Sequence, residues 1–443
     1  MKIILLVFFV FQIIYADDFN ALIEEYPSTN DKNKINIVIK DNIDIKGSIT
    51  SAGSISLKDN IAQKNAFLIE KLLKNGFHIK GKANLSEWAN FRSTKSVSGW
   101  SSINGQTTHH LNPKYNPCGS SSGSAVAVAS GIVEVSIGTE TNGSITCPAS
   151  VAGIVGMKPT VGLVSRTGII PIAESQDTAG PMGKTVQIVA RTLQAISGPD
   201  SNDPMTANIP NGFNYNFLEN VTNNNLHGKR FGVLKSGFNN QYGKIFLDKL
   251  ILDVERLGGE IIFIEDKRKY PSQEEYTVLL YEFKHGLESY LESSSASKKT
   301  LQQIIEFNEK NSERVMPFFG QEIFYAAVEA SKNYSAYIEA KKVLKEVTNE
   351  TLDLMDQYNI DAFIGLTRGP AWKIDYQGGD RLASEEVLSF GNGGYAAFGG
   401  LPHITIPYFN IEKFPVGISL IGRPWSDAEI ISYAAALEIE SVL

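Results

Sequence analysis

The stretch Pro117–Ser150 reads PCGSSSGSAVAVASGIVEVSIGTETNGSITCPAS. Its middle, SGSAVAVASG, predicts a helix of small side chains ending at Gly131, and IVEVSIG behind it predicts a strand. Upstream, INIVI reads as another strand. NAFLIEKLLKN then sets Phe67, Leu68, Ile69, Leu72 and Leu73 at helical spacing, with Gly76 where a helix would stop. Residues 200–350 are more polar and more helical. The C-terminal part returns to strands (DAFIGLT, HITIPYF, VGISLIG) and closes on the helix DAEIISYAAALEIE. Strands alternating with helices predict an α/β layer architecture. The simplest division is one domain over 17–443 with a helical insertion at about 200–350.

The chain has 443 residues, 42% of them hydrophobic, enough for a large core. A formal charge of −7 and no basic cluster argue against a nucleic-acid partner. The opening MKIILLVFFVFQIIYADD carries one lysine, a short apolar run and Ala16 before two acids. That order predicts a signal peptide over 1–16 and export, secreted or periplasmic. No later run is long enough for a membrane helix, so no membrane insertion is expected after cleavage. The two cysteines, Cys118 and Cys147, fit either a disulfide or two buried thiols.

Serine crowds Pro117–Ser150, and two readings give it chemistry. Gly119–Gly123 matches the G-x-S-x-G nucleophile elbow with Ser121 at its centre, but that turn needs an apolar strand before it. HHLNPKYNPC stands there instead, and none of the six histidines has a convincing setting as a base. The alternative is Ser144 in GTETNGSI. Asn142 and Gly143 tolerate a tight turn that gathers backbone N–H groups for an oxyanion. With histidine scarce, a lysine whose pKa burial has lowered would be the base, and a second serine would relay the proton.

PCGSSSGSAVAVASG, GTETNGSITCPASVAGIVGMKPTVGLVSRTGIIP and SQDTAGPMGKTV closely resemble the amidase signature family. Further motifs follow in order to the end, among them TRGPAW, GLPHITIP and PVGISLIGRPWS. GKANLSEWANF and VGLVSRTGIIPIAESQDTAGPM look most like bacterial peptide amidases. The resemblance implies an α/β fold, a mixed twisted sheet covered by helices on both faces. It implies hydrolysis of a carboxylic amide, either a C-terminal peptide amide or a related small amide, by a Lys–Ser–Ser triad with no metal or cofactor. Carried across, the nucleophile falls on Ser144 and the bridging serine on Ser120. The oxyanion donors fall on the N–H groups of Thr141, Asn142, Gly143 and Ser144. Ser98, Gly99, Trp100 and Trp372 are candidate pocket walls. Two other readings compete, the amidase-type subunit of a tRNA-dependent amidotransferase and an inactive amide-binding homologue.

The tetrapeptide Lys-Asp-Asn-Ile occurs twice, at Lys40 and Lys58. The family's lysine ends a strand and precedes a small-residue loop, a helix and a G-K-x-N turn. Lys40 stands 42 positions before Lys82 of GKAN, room for loop and helix; Lys58 leaves 24. Lys40 is therefore the candidate base and Lys58 a solvated lysine, with Asp59 and Asn60 starting the helix. About two dozen residues separate the expected cleavage point from Lys40, where relatives carry one or two more helices. Lys184 stands where the family has arginine, so a pair with Asp177 would be weaker.

Overall fold

The strand Ile35–Lys40 shows how the layers are arranged. Its side chains alternate between faces, as a period of two requires. Ile37 and Ile39 enter the largest apolar core with Leu68, Ile69 and Leu72 of the first helix. Val38 turns the other way, into a second core with Ala125, Val126 and Ala149. Both faces of the sheet are covered. Lys40 has the parity of Val38, which sends its amine toward the serine-rich segment.

The computed structural model describes residues 18–222, 225–234, 241–385, 387–389 and 391–441, and the predicted signal peptide lies outside them. Thirteen strands occur among the described residues: β1 (Leu22–Glu25), β2 (Ile35–Lys40), β3 (Phe77–Ala83), β4 (Trp100–Ser101), β5 (Gly105–Gln106), β6 (Val135–Glu140), β7 (Val155–Lys158), β8 (Thr178–Gly183), β9 (Arg230–Leu234), β10 (Glu260–Ile264), β11 (Ala362–Leu366), β12 (His403–Ile411) and β13 (Phe414–Ile421). Eleven form one mixed sheet in the order β1-β3-β2-β6-β8-β7-β12-β13-β11-β9-β10. β2 runs parallel to β3 and β6, and β9 parallel to β10 and β11; the other neighbours are antiparallel.

The helices that matter here are α1 (Phe67–Lys74), α2 (Ser122–Ala129), α3 (Thr146–Ala152), α4 (Val186–Ile196), α5 (Gln241–Arg256), α6 (Ser272–Ser293), α7 (Leu301–Lys310), α8 (Ser312–Val315), α9 (Glu322–Ala330) and α10 (Tyr334–Gln357). α2 is built of small residues because Ser122 through Val128 are all buried. A Cβ at Gly123 would collide with the carbonyl oxygens of Ala21 and Asn84. α6, α7 and α9 form a separate core, in which Phe283, Leu287, Ile304 and Phe324 pack on Trp88, Phe91, Ile170 and Ile172.

Two expectations are corrected. Residues 200–350 are not wholly an insertion, because β9 and β10 extend the main sheet and bury Phe231, Val233 and Ile264 in its core. The helical layer proper is α6–α10. Asp59 and Asn60 do not start a helix, since α1 begins at Phe67 behind Ala66. Asn60 is spent elsewhere, its Nδ2 donating to the Thr50 carbonyl and the Tyr290 hydroxyl. The short N-terminal segment still seals the site: β1 pairs with β3, Ala21 joins the α2 core, and Lys40 is fully buried.

Candidate active site

Lys40 ends β2, and its Nζ lies 2.7 Å from Ser120 Oγ, 2.9 Å from Thr139 Oγ1 and 3.1 Å from the Thr139 carbonyl oxygen. Burial lowers its pKa from 10.5 to about 7, against the opposing pull of the Asp177 and Glu140 carboxylates. The surroundings suit a neutral amine. Two N–H bonds can go to the Thr139 oxygens, which leaves the lone pair for the Ser120 hydroxyl. Asn42 Nδ2 donates to Thr139 Oγ1 at 3.0 Å and fixes that side chain.

Ser120 and Ser144 are brought together by their backbones. The Gly119–Ser120 peptide bond is cis, and the next residue, Ser121, donates its N–H to the Ser144 carbonyl at 3.1 Å. Cys118 and Cys147 form a disulfide, tying the chain two residues before Ser120 to the chain three residues after Ser144. The Glu140 carboxylate accepts from the N–H groups of Ile145 at 2.7 Å and Thr146 at 2.9 Å, closing the turn around Ser144. Gly143 takes φ 81°, a left-handed conformation that costs glycine little. Among the described residues the N–H groups of Asn142, Gly143 and Ser144 have no protein acceptor. Free backbone donors beside a nearly buried serine are what a developing oxyanion requires.

Ser120 and Ser144 open on the same cavity, of about 540 Å³. Over most of this arrangement, residues 33–431, the sequence matches the family model described as amidase. The chain belongs to the amidase family. It is similar to the native peptide amidase of Stenotrophomonas maltophilia, at 36% identity and a TM-score of 0.88 over 96% of this chain and 90% of that one. An amidase-family protein of Arabidopsis thaliana is 34% identical over 86% of this chain and 71% of its own length. A glutamyl-tRNA(Gln) amidotransferase subunit of Thermotoga maritima matches at 27% identity and a TM-score of 0.74, over 96% of this chain and 88% of its own.

Much of the rest of the amidase cavity's wall comes from two places, with Asn202–Pro204, Ala89 and Tyr337 completing it. The segment 166–178 supplies Arg166, Ile170, Ile172 and Asp177, and α6 supplies Tyr281, Glu282 and His285. Tyr281 stacks on Tyr337 of α10 with centroids 4.1 Å apart. Arg166 is held by Asp203 at 2.6 Å. Asp177 accepts from the Thr141 hydroxyl and from the N–H groups of Ile172 at 2.7 Å and Ala173 at 3.0 Å. Burial raises its carboxyl to about 6, against the lowering effect of those bonds.

The predicted pocket walls are elsewhere. Ser98, Gly99, Trp100 and Trp372 line no part of this cavity. Trp100 packs edge-on against Phe319 at 5.1 Å and beneath the Arg92 guanidinium. Trp372 joins Cys118, Cys147 and Phe414 in a small apolar cluster. Ser98 and Gly99 donate their N–H groups to Asp380 and Ser86, so they brace the loop behind Ser120. Lys184 cannot pair with Asp177, because the two flank opposite ends of β8, roughly 20 Å apart at a strand's rise. Lys58 is exposed.

Reading the sequence missed Thr139, Asn42, Glu140 as a tether, and every wall residue on α6. Only the first three carried a usable signal. Ile39 pairs with Ile137 across parallel strands, so the end of β6 must meet the end of β2.

Proposed function

We propose that this amidase hydrolyses a linear carboxylic amide to acid and ammonia or amine, with Ser144 as nucleophile, Ser120 as relay and Lys40 as base. The observation that carries the reading is the 2.7 Å approach of a fully buried Lys40 amine, its pKa near 7, to Ser120. The Ser144 proton passes to Ser120 as the Ser120 proton passes to Lys40, and Ser144 Oγ bonds the carbonyl carbon. The N–H groups of residues 141–144 hold the oxyanion. As the intermediate collapses the C–N bond breaks, and the nitrogen takes a proton back through Ser120. Water then attacks the acyl-enzyme by the same relay and frees the acid.

C-terminal peptide amides are the favoured substrate class. A cavity of about 540 Å³ with an aromatic wall at Tyr281 and Tyr337 suits a chain longer than a simple aliphatic amide. Likeness to a peptide amidase supports that class, and the higher TM-score to it, 0.88 against 0.74, favours it over amidotransferase work. Export through the predicted leader belongs to the same proposal, supported by the Cys118–Cys147 disulfide, which suits an oxidising compartment.

Ammonia release from peptide amides, aliphatic amides and aryl amides tests the substrate class. Peptide amides turned over with the highest kcat/KM would support it. Turnover confined to small amides would overturn it.

A further inference from the structure

The turn that carries Ser144 is tied down after Gly143, by Cys147, Ser121 and Glu140, and is less supported before it. A Cβ placed on Gly143 would meet nothing within 4 Å. The peptide unit after Gly143 is held by the Cys147 N–H, which donates to the Gly143 carbonyl at 2.9 Å, whereas the unit before it has no such backbone partner among the described residues. The preceding side chain supplies the restraint. Asn142 Nδ2 donates to Glu275 Oε1 at 2.8 Å and to the Tyr270 hydroxyl at 3.1 Å. Tyr270 in turn donates to Glu275 Oε2 at 2.6 Å, and Gln176 Nε2 donates to Glu275 Oε1 at 3.1 Å. Glu275 is 7% exposed, in the first turn of α6, and no lysine or arginine pairs with it among the described residues. Its acceptor capacity is therefore spent on the turn and on the two side chains flanking it.

The other end of the bridge is anchored as well. The Tyr270 ring packs against Tyr395 at 5.3 Å and Phe398 at 5.7 Å, on the short helix Gly393–Phe398. A Cβ at Gly394 would strike that ring. Thr141 is held in turn by Asp177. The peptide units that carry the Asn142 and Gly143 N–H groups are thus held at Thr141 by Asp177 and at Asn142 by Glu275.

We propose that Glu275, acting through the Asn142 side chain, is a positioning residue that aims the Gly143 N–H group at the oxyanion. Neither side chain touches the reacting atoms. The inference rests on the reading of Ser144 as nucleophile. An oxyanion interaction is made in the transition state and not with the ground-state amide, so its misalignment lowers kcat and leaves KM in place. Losing one oxyanion donor outright costs roughly 10²- to 10³-fold, so a turn that loses its aim but keeps its donors should lose about 10- to 100-fold.

Asn142→Ala removes an exposed side chain and leaves the core intact. It is expected to lower kcat by about 10- to 100-fold with KM within about twofold. Asn142→Asp sets a carboxylate against Glu275 and should lose at least as much. Adding Glu275→Gln to Asn142→Asp reverses donor and acceptor across the same gap, and kcat should recover to within about threefold of the wild type. Wild-type kcat in Asn142→Ala, or a double variant no faster than Asn142→Asp alone, would overturn the inference. Ser144→Ala run beside them separates the two failures. Activity surviving in Ser144→Ala strikes the nucleophile reading, whereas a dead Ser144→Ala with unaffected Asn142 variants strikes this inference alone.

Discussion

Lys40 and Ser120 meet at 2.7 Å although 80 residues separate them, and the amine is sealed from solvent. β2 delivers the lysine at its last position, and the loop before α2 delivers the serine. Because burial holds the amine near pH 7, the pair can pass a proton in either direction at neutral pH.

That pKa sets the pH profile of kcat/KM. The base must be neutral, so kcat/KM rises with pH through about 7 with a slope of one. Lys40→Ala should lose roughly 10²- to 10⁴-fold and the pH step with it. Lys58→Ala should keep both. Initial rates from pH 5.5 to 9 check all three, and a normal profile in Lys40→Ala would refute the assignment.

The same lysine shapes stability against pH. Its folded pKa is lowered from 10.5 to about 7, so between those values the unfolded chain carries the extra proton. The cost of burying Lys40 is full below pH 7 and fades as pH rises toward 10.5. Lys40→Met removes that dependence. The melting temperature of the wild type should therefore gain on that of Lys40→Met between pH 6 and pH 10, as read by scanning calorimetry.

Lys82 and Asp41 form an ion pair of 2.9 Å with both side chains almost wholly buried, one residue beyond Lys40. Lys82 Nζ also donates to the carbonyls of Ile43 at 2.8 Å and Ile49 at 3.1 Å, which shapes the loop after the base. Lys82→Met strands the Asp41 carboxylate and should cost about 3–5 kcal/mol in urea unfolding. Removing both charges with Asp41→Asn added should cost less.

The Cys118–Cys147 disulfide spans 29 residues and joins the two serine loops. Replacing both cysteines by serine should lower stability by about 2–4 kcal/mol. With Ser120 and Ser144 less firmly opposed, kcat should fall even at temperatures where the variant is fully folded. Denaturant melts and rates measured with and without a reductant test both.

What the sequence made legible was what lies close together along the chain. Ser144, Ser120 and the turn between them sit within one segment, and period-two alternation in INIVIK is enough to assign Lys40 a face. The walls of the cavity were not legible. Arg166, Asp177 and Tyr281 meet only because α6 folds over the loop after β7, and nothing in either segment announces the other. Trp100 and Trp372 misled for a related reason: a tryptophan close to a glycine or proline turn suits a pocket rim and a small apolar cluster equally well. β9 and β10 were hidden because each is only five residues long within a polar, helix-rich stretch.

The central claim is that Ser144 carries the acyl group. Mixing the protein with a slowly deacylated peptide ester, quenching in acid and sequencing the proteolytic fragments by mass spectrometry reads the site directly. The account predicts the acyl mass on Ser144 in the wild type and none in Ser144→Ala. An acyl group on Ser120 or Ser121, or turnover persisting in Ser144→Ala, would contradict it.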